Sequence, residues 1–268
     1  MSYAAAISTI LIAGVVAAFA TALIQRRVEI DLRRHHHDVG SVVFLQLGVV
    51  FAVLLAFVFS EAWGQYNEAA EAVDLEVSAM HGVAMIAATL EPAQANAILT
   101  AERAYLEAVA GREWPMMARH RTRDIESSHR FEVLFQDSAN LQLSNPDQRD
   151  KKAEILSLLA QAHTQRETRI FQASSGIPVP LWCVLIAFTI VLALFVSFSG
   201  IQYRTTAVAI AACFTVGIVS ILVIARLLDY PFEGALALPP ADFIAVTGKV
   251  SDLLSHVNAS DHLAVVTI

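Results

Sequence analysis

Residues 33–40 read RRHHHDVG. Three adjacent histidines beside arginines raise two kinds of chemistry, metal ligation and proton sensing. Adjacent residues on a helix or strand point in different directions, so His35, His36 and His37 make a poor cage for one metal ion. Histidine does change charge near neutral pH. In a symmetric oligomer, His36 or His37 from each subunit would form a titratable ring and a pH-dependent gate. Asp38 follows, placed to cap a helix beginning near Val39 by accepting free backbone N–H groups and favouring the helix dipole. The next ionisable residue, Glu61, comes only after a long apolar run whose one strongly polar member is Gln46. A carboxylate at the end of such a run is either an interfacial group in contact with water or part of a ring at a pore mouth, where it would favour cations. Gln46 is either an interhelix hydrogen-bonding group or a pore-facing one.

Catalytic patterns are missing from the sequence. It has no nucleophile elbow, no phosphate loop and no HExxH. The histidines outside the triplet are scattered. Cys183 and Cys213 lie in apolar blocks, match no zinc spacing and form no disulfide framework. The expectation is a protein that is not an enzyme, with no metal site and no cofactor.

The elements that position these residues are set by composition. The chain has 268 residues, 56% hydrophobic and 16% charged. A soluble domain is about 45–50% apolar and about 25% charged. A net charge of −7 lacks the basic face that nucleic acid requires, so no nucleic-acid partner is expected. Four apolar blocks reach the roughly 20 residues that cross a bilayer. They are Tyr3–Ile24, Val39–Ala62, Leu181–Gly200 and Ala207–Leu228. The first has its basic flank after the apolar core, so it reads as a retained span rather than a signal peptide. Arg26, Arg27, Arg33 and Arg34 put the loop between spans one and two in the cytoplasm, and hence the segment after span two outside.

Residues 64–176 read as almost wholly helical. Ile155, Leu158, Leu159, Ala162 and Ile170 form one helical stripe. Breaks are expected at Glu91–Pro92, Ala110–Pro115, Ser144–Asp147 and Ser174–Pro180, leaving about four helices. From Ser41 to Leu90 there is no proline, so span two can run on as one helix of about 50 residues, roughly 75 Å long. Gly64 and Gly82 are its possible bends. Trp63 and Tyr66 mark the membrane interface. At the far end, Arg226 and Asp229 close span four, three apart, where Arg226 pairs or snorkels to the interface. Phe243, Val246, Val250, Leu253 and Val257 predict a short amphipathic helix in the tail, on the membrane surface or on the domain.

Small residues in span one (Gly14, Ala18, Ala22; Ala13, Ala17) predict a close packing seam. The stretch with Arg119, Arg121, Arg123 and Arg130 is either a solvated helix face or an anion-attracting vestibule. The fold class is an all-α membrane protein, four transmembrane helices with a helical extramembrane domain inserted between helices two and three. The expected divisions are 1–63, 64–176, 177–230 and 231–268.

HHDVGSVVFLQLGVVFAVLLAFVFSEAW followed by GQYNEAAEAVDLEVSAM resembles a bacterial bestrophin-like membrane family. REWPMM (112–117), RETRIFQASSGIPVPLW (166–182) and LLDYPFEGALALPPADF (227–243) fit it in the same order. The family pattern often has Asn at the position of His37. A more distant likeness links AWGQYNE (62–68) to bestrophins themselves, which are pentameric anion channels with an apolar neck. That likeness implies a neck lined by Leu45, Val49 and Val53, and a helical domain on the cytoplasmic side, opposite to the charge-based topology. The bestrophin calcium-binding acidic clusters have no counterpart here. The function so implied is an oligomeric ion channel lined by span two, with a homo-oligomer, inorganic ions and the lipid bilayer as partners, multi-pass in the bacterial inner (plasma) membrane. Glu61 points to cations and the likeness to anions. The alternative is a non-conducting structural or sensory membrane protein whose helical domain binds a partner.

Overall fold

The computed structural model describes residues 1–28, 37–142 and 146–266, with the side chains of 37–39, 146–147 and 260–266 excepted. Among the described residues the structure is helical throughout, with no strand. The elements are α1 (Tyr3–Arg27), α2 (His37–Ala87), α3 (Pro92–Ala108), a π-helical turn (Val109–Glu113), α4 (Trp114–His120), α5 (Ile125–Ala139), α6 (Pro146–Ser174), α7 (Val179–Ser197), α8 (Arg204–Leu228) and α9 (Ala241–Val266). Four of them, α1, α2, α7 and α8, are long and apolar enough to cross a membrane. The chain divides into two compact units. One is Met1–Gln65 with Gly176–Asp229, and the other is Tyr66–Ser175 with Tyr230–Ile268. Helix α2 contributes to both, running 51 residues without a break at Gly64 or Gly82.

In the first unit α1 packs on α8 along a seam of small residues. Ala6, Gly14, Ala17 and Thr21 are its buried positions. A Cβ at Gly14 would lie 2.7 Å from Val216 Cγ2, so only glycine permits this approach. Hydroxyls here bond to the carbonyl one turn back: Thr21 to Ala17, Thr189 to Leu185, Ser197 to Ala193 and Ser220 to Val216, at 2.7–2.8 Å. A polar group in lipid must find such a partner within the protein. Asp229 Oδ1 accepts the Ile177 N–H at 2.7 Å, and Asp229 Oδ2 accepts from Arg226 at 2.9 Å. The expected Arg226–Asp229 pair is therefore formed, and it also fixes the approach to α7.

The second unit has one hydrophobic core drawn from α2, α3, α5, α6 and α9, including Met80, Ile98, Leu106, Leu134, Ile155, Leu159 and Phe243. Gly82 lets Leu158 of α6 approach α2, since a Cβ there would sit 3.0 Å from Leu158 Cδ1. The expected break at Ala110–Pro115 is absent. The backbone widens into the π-turn, where the Trp114 N–H donates to the Val109 carbonyl five residues back. Pro115 then falls in the first turn of α4, where its missing N–H costs little. The chain breaks instead at Arg121, whose φ of 56° is left-handed. Asp124 restarts the helix by accepting the Ser127 N–H at 3.0 Å. Burial raises the Asp124 carboxyl, but hydrogen bonds from Ser127 and Arg112 outweigh it and hold the group below its ordinary value. The tail helix is longer than its five-residue apolar pattern suggests. It buries Phe243, Val246, Val250 and Leu254 in the domain core.

The core also holds charge. Arg169 is fully buried. Its Nε donates to Glu76 Oε2 at 2.8 Å and its Nη2 to Glu113 Oε1 at 2.8 Å. Arg166 Nη2 donates to Glu113 Oε2 at 2.5 Å and to Ser128 Oγ at 3.0 Å. The Tyr105 hydroxyl donates to Glu76 Oε1 at 2.5 Å. The ring centroids of Trp114 and Phe243 each lie 5.3 Å from the Arg169 guanidinium carbon. Burial opposes the charge on Arg169, yet Glu76 and then Glu113 hold its pKa above the ordinary value. Burial and the Glu76 carboxylate push Tyr105 up, keeping its proton on the hydroxyl.

Two guanidiniums against two carboxylates balance in this network. Removing one partner should leave a charge stranded in the core. Arg169→Met is expected to cost about 3–5 kcal/mol in urea unfolding of the purified protein. Arg123→Met, which breaks the half-exposed pair with Glu167, should cost within about 1 kcal/mol. Equal losses would show that the buried network carries no special share of the stability.

Candidate pore face on the second helix

The apolar half of α2 is buried on one side only. Phe51, Leu55, Val58 and Ala62 are buried. Phe44 sits between Phe195 of α7 and Phe214 of α8, with ring centroids 6.1 and 5.9 Å away, and Phe51 stacks on Phe188 at 6.1 Å. Aromatic side chains thus attach α2 to the rest of its unit. The opposite face carries Leu45, Val49, Val53 and Phe57, spaced four apart and 57–67% exposed. Gln46 lies on the same exposed side. Glu61 continues the four-residue spacing past Phe57 and accepts from Gln65 Nε2 at 3.0 Å.

The remaining expected site residues divide clearly. Trp63 is half-exposed at 51%. Tyr66 is partly buried and opens the second unit. His36 and the side chains of His37 and Asp38 lie outside the described residues. The helix is described from His37, so the backbone of Asp38 falls in its first turn. Cys183 and Cys213 are free and exposed on the membrane helices. Among the described residues, no three His, Cys, Asp or Glu side chains gather into a metal-holding group.

The basic stretch is largely committed to partners. Arg121 donates to Glu233 from Nε and Nη2 at 3.0 and 2.6 Å and covers the Tyr230 ring at 3.4 Å. Arg123 pairs with Glu167 at 3.0 Å and Arg130 with Glu126 at 2.7 Å. Ion pairing takes up charge that an anion vestibule would need; of these pairs, Arg121–Glu233 ties α4 to the segment after α8, while Arg130–Glu126 lies within one helix.

The sequence matches the family model of the Bestrophin-like domain over residues 11–243. The chain belongs to the Bestrophin-like family. Its fold is shared with solved structures at low sequence identity. Two crystal structures of a bacterial bestrophin homolog from Klebsiella pneumoniae give TM-scores of 0.73 and 0.70 at 15% and 14% identity. They cover 93% and 91% of this chain and 99% and 98% of the other. A further crystal structure, of a membrane protein, gives 0.71 at 12% identity over 90% of this chain and 98% of that one. No curated protein matches the sequence.

One feature of this bestrophin-like chain escapes sequence reasoning. The stretches that carry the family resemblance meet in the buried charge network. GQYNEAAEAVDLEVSAM supplies Glu76, REWPMM supplies Glu113, Trp114 and Met117, RETRIFQASSGIPVPLW supplies Arg166 and Arg169, and LLDYPFEGALALPPADF supplies Phe243. The usable signal was Arg166 and Arg169 three apart within a helix of otherwise helical apolar period. Glu76 and Glu113 look like ordinary surface carboxylates in sequence.

Loss of the Arg121 clasp should loosen the segment that follows α8. In Arg121→Ala, amide hydrogens over 230–240 are expected to exchange at least several-fold faster than in wild type, while those of α6 keep their rates. Unchanged exchange over 230–240 would show that the clasp is not what orders this segment.

Proposed function

We propose that this bestrophin-like protein is an oligomeric ion channel, a multi-pass protein of the bacterial inner membrane, with the exposed face of α2 lining the pore. One observation carries the reading: Leu45, Val49, Val53 and Phe57 form an apolar row on a helix whose opposite face alone is packed. Around a shared axis such a row makes a narrow apolar constriction that gates by dewetting. Family membership and the fold shared with bacterial bestrophin homologs support an ion-conducting role. Glu61 continues the row and would place a carboxylate ring at one mouth. His36 and His37 would ring the other.

Planar-bilayer recording on purified protein tests the channel itself. A single conductance that rises when Val49→Ser wets the constriction is expected. Silence under every voltage, pH and calcium condition would favour a non-conducting structural or sensory protein. The two rings are tested apart from the neck. Glu61→Gln should shift the reversal potential in a salt gradient towards anion preference, and an unmoved potential excludes the carboxylate ring. Replacing His36 and His37 together with Asn should flatten the response of current to pH between about 5 and 8. A response that survives ends the histidine-gate idea.

A further inference from the structure

Helix α3 carries a further buried carboxylate, Glu102, and it differs from Glu76 and Glu113. It is fully buried, and neither of its oxygens has a hydrogen-bond partner. It lies in the middle of the buried face of α3, in one helical row with Ala95, Ile98, Leu99, Tyr105 and Leu106. Helix α9 packs along α3, and the Asn96 amide donates to Asn258 at 2.6 Å. Helix α5 packs on another side, where Phe131 meets the Tyr105 ring edge-on at 5.1 Å.

Among the described residues, no charged side chain of the neighbouring elements bonds to Glu102. On α2, Glu76 is held by Arg169 and Tyr105, and the half-buried His81 makes no bond to Glu102. On the π-turn, Glu113 is held by Arg166 and Arg169, while Arg112 faces Asp124. On α3 itself, Arg103 and Glu107 pair at the surface. On α5, Glu126 pairs with Arg130, and His129, Glu132 and Asp137 are exposed. On α9, Asp242, Lys249, Asp252 and His256 are all exposed.

An ionised carboxylate without a counter-charge or hydrogen-bond donor costs several kcal/mol in a protein interior. The group therefore keeps its proton while the domain is packed. Burial alone drives this, raising Glu102 well above the ordinary carboxyl value. We propose that Glu102 is a proton-operated lock in the helical domain. With the carboxyl neutral, α3 packs closed against α9 and α5; when the proton leaves, the carboxylate must reach water and that packing opens.

The sign follows from linkage. Between the ordinary carboxyl value of about 4.3 and the raised value of the packed state, the closed state binds more protons than the open state, by at most one. The closed form is favoured most fully below the ordinary value. The advantage is lost as pH rises towards and through the raised value of the packed state. Within that window the open fraction grows by at most about tenfold per pH unit. The lock requires no pore and stands whether or not the channel reading holds.

Amide hydrogen exchange on the full-length protein in lipid nanodiscs tests it, with rates corrected for the intrinsic effect of pH. From pH 5 to pH 9, wild-type protection over 92–108, 125–139 and 243–257 should fall at least tenfold. Glu102→Gln should hold it constant within about twofold, and so should the α6 stretch 155–172 in wild type. Wild-type protection that ignores pH, an equal fall in the variant, or an equal fall in α6 overturns the lock. Should Glu102→Gln not fold, Glu102→Met takes its place. Infrared spectroscopy of the wild type gives an independent check: a protonated buried carboxyl band is expected at pH 7, and its absence there overturns the proposal.

Discussion

The Arg169 guanidinium has no access to water, so its charge must be answered inside the domain. Glu76 comes from α2 and Glu113 from the π-turn, ninety-three and fifty-six residues away along the chain. A stranded charge would cost several kcal/mol. The network therefore holds α2, the π-turn and α6 in one register, because any slip breaks a bidentate contact. It also explains the π-turn. The widened backbone from Val109 to Glu113 keeps α3 and α4 continuous while placing Glu113 between Arg166 and Arg169. Trp114 then faces both Arg169 and Phe243, which brings α9 into the same cluster.

The membrane helices obey a different rule. No ion pair holds α1 to α8. A row of small residues does, closed at Gly14; the Thr21 and Ser220 hydroxyls turn back onto their own helices, and Thr21 also meets Ser197 of α7 at 2.8 Å. Lipid offers no hydrophobic driving force between helices, so close contact and satisfied polar atoms must suffice. Helix α2 is attached by large aromatic rings rather than by a small-residue seam. That mode of packing secures one face and leaves the other bare. A bare apolar face on a membrane helix suits lipid or another copy of the chain equally well.

The two kinds of buried carboxylate in the helical domain show how context assigns a role to one residue type. Glu76 and Glu113 are each met by guanidiniums at ion-pair distance. Glu102 has no such partner and stays neutral. The first pair ties one arrangement of helices together through Arg166 and Arg169. The lone group makes the arrangement conditional on a proton.

Composition and periodicity alone determined the four spans, the helical insert between the second and third, and the unbroken passage of α2 from Gly40 to Ala87. Each rests on a local property: runs of apolar residues, the absence of proline, and apolar stripes at helical period. The stripes on α6 and α9 were legible for the same reason, because one helix face is enough to define them. The charge network was only half legible: Arg166 and Arg169 stand three apart on a helix of apolar period, but Glu76 and Glu113 read as ordinary surface residues until the fold brings them together. The true break at Arg121 was hidden because Pro115 suggested a nearer one, and a π-turn can absorb a proline that an α-helix rejects. Glu102 shows the limit most plainly. Its sequence neighbourhood, ILTAERAYLE, is that of a solvated helix. Only the tertiary structure decided that it is buried, because burial depends on which helices cover it, and those come from distant parts of the chain.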